Sequence, residues 1–126
     1  MRRGRVMLVD DEPTIGAAVR RALAAHHDVV VFTDGHAALE AIAAGPSFDV
    51  ILCDLMMPLM SGAEFHHALS CTSPDQAARI VFLSGGAFTE GSRAFVDRVP
   101  NLKIEKPFEV SELRAFVNDR VRNSLS

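Results

Sequence analysis

Short apolar runs that each deliver a charged residue at their carboxyl end are the feature that most constrains this chain. Val6-Met7-Leu8-Val9 runs into the acidic pair Asp10-Asp11, and Val50-Ile51-Leu52-Cys53 runs into Asp54. A third stretch, short and mixed, ends at Lys106, which precedes Pro107. In an open parallel sheet the carboxyl ends of the strands line one crevice, and such folds bind their ligands there. Three carboxylates and one ammonium gathered in that crevice make a site for a divalent cation and a phosphoryl group.

The rest of the chain fits that arrangement. Strand-like runs fall at about Arg5–Val9, Val29–Phe32, Asp49–Cys53, Ile80–Leu83 and Leu102–Ile104. They are continuous rather than alternating and rich in Val, Ile and Phe, as expected of parallel strands buried on both faces. Segments of helical period lie between them. Pro13 suits a first helical turn, with Ile15, Val19 and Leu23 on one face. Asp34 is placed to cap a second helix that carries Leu39 and Ile42 and stops at Gly45-Pro46. A third helix is expected over Ser61–Ser70, a fourth near Thr89–Arg98, and a fifth over Val110–Arg122 with Leu113, Phe116, Val117 and Val121 as its stripe. Five β–α units imply a parallel sheet covered by helices on both faces.

Bulk properties exclude several classes. A length of 126 residues suffices for one domain and is too short for two, and 48% hydrophobic residues exclude a disordered chain. A net charge of -3 gives no reason to expect nucleic-acid binding. Arg2, Arg3 and Arg5 read as a solvated end. No apolar run approaches the roughly 18 residues of a membrane helix, so no membrane contact is expected. Cys53 and Cys71 form no metal-binding pattern, and a reduced, cytoplasmic protein is the simpler reading.

Four motifs, in order and each at a strand end, make the chain similar to a known family. These are Asp10-Asp11-Glu12-Pro13, Asp54 with Pro58 and Gly62 following, Ser84-Gly85-Gly86, and Lys106-Pro107-Phe108. Over essentially its whole length the chain resembles the receiver domain of two-component response regulators. The resemblance implies a flavodoxin-like (βα)5 fold, a doubly wound parallel α/β sheet of strand order 2-1-3-4-5. It implies one receiver domain over residues 1–126, with its core at about 4–122.

The resemblance also assigns roles. Asp54 is the candidate phosphoacceptor, a carboxylate that attacks a phosphoryl group and holds it as an acyl phosphate. The implied donor is the phosphohistidine of a histidine kinase or of a histidine phosphotransfer domain. Asp11 and Asp54 would ligate Mg²⁺ directly, the Met56 main-chain carbonyl would add a third oxygen, and Asp10 would act mainly through water; Mn²⁺ could substitute. Lys106 would supply positive charge to the phosphoryl oxygens, and the Ser84 hydroxyl would donate to them. Gly85 and Gly86 would leave the pocket open above Ser84. Lys106-Pro107 is expected to be cis. Such a domain is not itself an enzyme, although it assists its own phosphorylation and dephosphorylation.

Departures from the family pattern matter too. The aromatic residue that often stands three positions before the lysine is replaced by Lys103, and the chain has no Tyr or Trp at all. A rotating aromatic switch is therefore not expected, and Lys103 should stay solvated or pair with Glu105 or with a carboxylate of a partner protein. The pairs His26-His27 and His66-His67 read as solvated or helix-end groups rather than phosphotransfer sites. A flavin-binding redox protein of the same topology would want a phosphate-cradling loop after the first strand, where this chain has Asp10-Asp11-Glu12. An aspartate-nucleophile phosphatase would want an acid at Met56. A pseudo-receiver used only for docking would not need the full set of acidic pair, Asp54, Ser84 and Lys106. The segments 84–89 and 102–108 resemble receivers attached to hybrid sensor histidine kinases.

Overall fold

The computed structural model describes residues 3–85 and 90–123. Five strands, β1 (Arg5–Val9), β2 (Asp28–Phe32), β3 (Val50–Asp54), β4 (Ile80–Ser84) and β5 (Lys103–Glu105), pair in parallel in the order β2-β1-β3-β4-β5. Both the expected topology and the expected strands are present, with ends displaced by a residue or so. Register places Val9 beside Cys53, Asp54 beside Leu83 and Ser84 beside Glu105, so the charged residues beyond those ends emerge on one rim.

The helices are α1 (Pro13–Leu23), α2 (Gly35–Ala44), α3 (Gly62–Thr72), α4 (Pro74–Ala77), α5 (Glu90–Arg98) and α6 (Val110–Asn123). Asp34 caps α2, its Oδ1 accepting from the Ala37 N–H at 2.9 Å. Ser61 begins α3 with a reciprocal cap. Its hydroxyl accepts from the Glu64 N–H, and the Glu64 carboxylate accepts from the Ser61 N–H. The one-turn α4 is an addition to the sequence reading, because four residues carry no helical period to detect. The expected fourth helix corresponds to α5; Thr89 lies outside the described residues.

Alternate strand residues feed two cores. Met7, Val9, Ile51, Cys53, Ile80 and Phe82 face α2, α3, α4 and α5. Val6, Leu8, Val50, Leu52, Val81 and Leu83 face α1 and α6, meeting Val19, Leu23, Leu113, Val117 and Val121. Burial on both faces explains why β1, β3 and β4 read as unbroken apolar runs. The sheet is closed at its lower rim by His27. Its Nδ1 accepts from the Gly4 N–H at 3.0 Å, so the ring proton sits on Nε2 and is donated to Asn118 Oδ1 at 2.6 Å. Asn101, also buried, donates to the Ala77 and Ile80 carbonyls and ties the α5–β5 loop to the α4–β4 turn.

Gly62 holds the start of α3 against the end of β3. Its N–H donates to the Leu55 carbonyl at 2.9 Å. A Cβ there would lie 2.8 Å from the Asp54 carbonyl oxygen and 2.9 Å from Leu55 Cα, both of them backbone atoms. At Gly35 the nearest neighbour is instead the flexible Met60 thioether, at 2.6 Å. Gly62→Ala is therefore expected to cost about 1–3 kcal/mol of unfolding free energy, and Gly35→Ala clearly less, because a methionine rotates where backbone cannot. Urea denaturation of the two variants checks the ranking; equal midpoints would contradict it.

Candidate functional site

Four chain segments bring their charges to the upper rim. Asp54 is the last residue of β3 and is 4% exposed. Asp10 follows β1, its N–H bound to the Phe32 carbonyl, and its side chain is fully buried. Glu12 is the N-cap residue of α1 but makes no side-chain cap bond, which leaves its carboxylate free to turn toward the rim. Lys106 follows β5, its N–H donated to the Ser84 carbonyl at 2.8 Å. The Lys106-Pro107 bond is cis, as expected.

The Lys106 ammonium sits among the three carboxylates. Its Nζ is 2.9 Å from Asp10 Oδ2, 3.4 Å from Asp54 Oδ2 and 3.8 Å from Glu12 Oε1. Burial pulls the ammonium toward neutrality. The hydrogen bond to Asp10 and the charges of Asp10, Asp54 and Glu12 outweigh that, and its pKa is raised. At Asp54 the balance is different: burial and the neighbouring Asp10 charge raise its pKa, against the opposing pull of Lys106 and the Met56 N–H. That N–H donates to Asp54 Oδ1 at 3.3 Å. One cation thus only partly compensates three anions.

Carboxylate oxygens of Asp10, Glu12 and Asp54 lie within 4.8 Å of one another. Three hard oxygen donors at that spacing, short of positive charge, fit a divalent cation such as Mg²⁺. Asp11 is exposed and stands outside this group of three. Ser84 is buried at the end of β4, beside Glu105 and bonded through its carbonyl to Lys106. A Cβ on Gly85 would meet no atom of the described residues within 4 Å. Gly86 lies outside the described residues. Met56 is 48% exposed and Leu59 is 86% exposed, with φ of 70°. Beneath the acids, burial and the charges of Asp54 and Asp10 push the Cys53 thiol well above its ordinary pKa, and it stays protonated.

Sequence reasoning brought Asp10, Asp54, Ser84 and Lys106 to this rim, and they lie there. It passed over Glu12, although the acidic run containing it was visible. Three consecutive acids offer no sequence signal for which one turns inward. The histidine pairs divide: His26 and His67 are exposed, whereas His27 is buried and His66 is half-buried against Phe82 and Phe95. Lys103 stays exposed, as expected, and its Nζ donates to the Val99 carbonyl at 3.0 Å, just beyond α5, rather than pairing with Glu105.

Comparison with known proteins gives one consistent result. The family model of the response regulator receiver domain matches residues 6–118. The chain is 31% identical over 117 residues to the sensor histidine kinase TmoS of Ectopseudomonas mendocina, covering 93% of this chain and 12% of the kinase. It is 31% identical over 121 residues to the transcriptional regulatory protein DltR of Streptococcus agalactiae, covering 95% of this chain and 53% of that protein. The chain therefore spans between about an eighth and about half of these relatives. The receiver domain of the Francisella response regulator 1452 superposes with a TM-score of 0.78 at 25% identity, covering 96% of this chain and 98% of that one. The beryllofluoride-activated DrrB receiver domain, at 23% identity and a TM-score of 0.79, shares the fold over 96% of this chain and 99% of its own.

The raised pKa of Asp54 has a consequence for stability. The folded chain holds that proton more tightly than the unfolded chain does. The contribution of Asp54 is therefore fully present below its unfolded pKa and is lost as pH rises through its folded value. In buffer free of divalent cations, Asp54→Asn should unfold at a higher temperature than the parent at pH 7. The advantage should fade as pH falls through the ordinary carboxylate range. Thermal melts at pH 7 and pH 4 measure it, and an advantage that grows on acidification would contradict the assignment of charge.

Proposed function

This chain belongs to the response regulator receiver domain family, and on that premise we propose that Asp54 accepts a phosphoryl group from a phosphohistidine. The family is a signalling module of two-component systems. The observation that carries the assignment to Asp54 is the position of Lys106, whose ammonium lies 3.4 Å from an Asp54 oxygen. A carboxylate oxygen of Asp54 attacks phosphorus, a P–O bond forms, and the P–N bond to the donor imidazole breaks. The leaving imidazole takes its proton from solvent. Lys106 then balances charge on the transferred oxygens, and the Ser84 hydroxyl donates to them.

Mg²⁺, or Mn²⁺ in its place, is the cofactor of this reading. Asp10, Glu12 and Asp54 supply the clustered oxygens, and the family resemblance adds Asp11 and the Met56 main-chain carbonyl. When bound, the cation offsets the repulsion between a phosphoryl donor and this acidic rim. Met56 stands where a phosphatase of related chemistry would want an acid, so the domain does not turn over outside substrates. Its response runs through helix repositioning rather than an aromatic switch, because Lys103 stands where the family often carries the aromatic residue.

The donor is a histidine kinase or a histidine phosphotransfer domain, and the parent protein is a hybrid sensor histidine kinase. The similarity to the sensor histidine kinase TmoS supports the second point. A cytoplasmic location accords with the described residues, which include no helix long and apolar enough to cross a membrane.

Acetyl phosphate with Mg²⁺ should add one phosphoryl mass to the intact protein and none to Asp54→Asn. An unmodified parent would make the chain a docking module instead. The ammonium and the cation compete for the same carboxylates. Lys106→Ala should therefore bind Mg²⁺ about 3- to 10-fold more tightly, and Glu12→Gln should bind it more weakly by a similar factor. Calorimetric titration measures both; weaker binding by Lys106→Ala would contradict the competition.

A further inference from the structure

Away from the acidic rim, α3 and α5 leave a groove between them of about 640 Å³. That volume lies in the range of small-molecule sites, about 300–1,000 Å³. Its apolar lining comes from Met60, Ala63, Phe95 and Val99. Below them the rings are locked together. Phe82 and Phe95 meet edge to face at 5.2 Å, and His66 lies 5.5 Å from Phe95 and 6.0 Å from Phe82. His66 also hydrogen-bonds the side chain of Asn101, whose amide nitrogen is already used on the Ala77 and Ile80 carbonyls. Burial first, and then the charges of His67 and Arg98, hold His66 below its usual pKa against the pull of that bond. The floor is thus preformed, aromatic and uncharged at neutral pH.

The lip of the groove carries one guanidinium, that of Arg98. The Arg98 guanidinium stands 5.8 Å from the centre of the Phe95 ring, and among the described residues it meets no carboxylate. His67 lies on the opposite wall. The one carboxylate of the lining, Glu64, already accepts from the Ser61 N–H in the α3 cap. An apolar floor beside a guanidinium without a carboxylate partner among the described residues is complementary to a ligand with a flat apolar body and an acid at one end. Arg binds such an acid through two parallel N–H donors.

We propose that the α3–α5 groove binds a small aromatic carboxylate, its ring against Phe95 and Met60 and its carboxylate on Arg98. This site is separate from the Asp54 rim and does not depend on phosphorylation.

Titration of the ¹⁵N-labelled chain with 2-naphthoate tests it, with 2-naphthalenemethanol as the uncharged counterpart. Naphthoate should give saturable one-site shifts at Ala63, His67, Phe95 and Arg98, with a Kd on the order of 1 mM or tighter. The alcohol should bind at least about tenfold more weakly to the parent, as should naphthoate to Arg98→Gln, a surface change that leaves the core intact. Ser70→Leu, which puts bulk into the groove, should abolish the shifts. Shifts that do not saturate, that cluster elsewhere, or that survive Arg98→Gln unchanged would overturn the proposal. So would self-association of the unliganded chain that Arg98→Gln dissolves, which would give the groove to a second copy.

Discussion

One ammonium among three carboxylates is the interaction on which the rest of this site depends. Asp10, Glu12 and Asp54 come from separate segments, and their mutual repulsion opposes bringing them together. Lys106 reaches all three, most closely Asp10 at 2.9 Å. The compensation is incomplete, which is why burial and Asp10 still raise the pKa of Asp54. A rim in that state favours added positive charge. Truncating one partner of such a buried pair leaves the other uncompensated, so the cluster functions as a unit.

The fold exists to hold those charges in register. Parallel pairing sets Val9 beside Cys53 and Asp54 beside Leu83, so that Asp10, Asp54 and Ser84 emerge together. Cores on both faces of the sheet make the strands rigid, and Gly62 packs the first turn of α3 directly on the Asp54 carbonyl. The opposite side of the rim is less constrained: β5 has three residues, two of them exposed. Lys103 ties β5 to the end of α5, and Asn101 ties the intervening loop to α4 and β4. Helix α5 itself is anchored by Phe95, which packs edge to face on Phe82 in the core.

Much of this was legible in the sequence because β1, β3 and β4 are buried on both faces and so leave unbroken apolar runs. The charges after β1, β3 and β5 mark the crevice, and Asp54 and Lys106 follow from that placement, whereas Ser84 follows from the family resemblance. What was not legible depends on side-chain direction or on elements too short to show a period. Asp10, Asp11 and Glu12 look alike as a run, yet Asp10 is buried, Asp11 is exposed and Glu12 leans toward Lys106. The four residues of α4 show no stripe. His27 and His66 look like their exposed neighbours until the Gly4 and Asn118 bonds of the one, and the Phe82 and Phe95 contacts of the other, are visible. Lys103 could be recognised as a departure, but its partner at Val99 could not, since a main-chain carbonyl leaves no mark in a sequence.

The central claim is that the phosphoryl group is carried by the carboxylate of Asp54. Borohydride reduction of the phosphorylated chain, followed by peptide mass mapping, tests it most directly, because an acyl phosphate is reduced to an alcohol whereas a free carboxylate or a phosphohistidine is not. The account predicts homoserine at position 54 and at no other acidic position. Reduction at Asp10 or Asp11, or a phosphoryl group that resists borohydride and maps to His66 or His67, would contradict it.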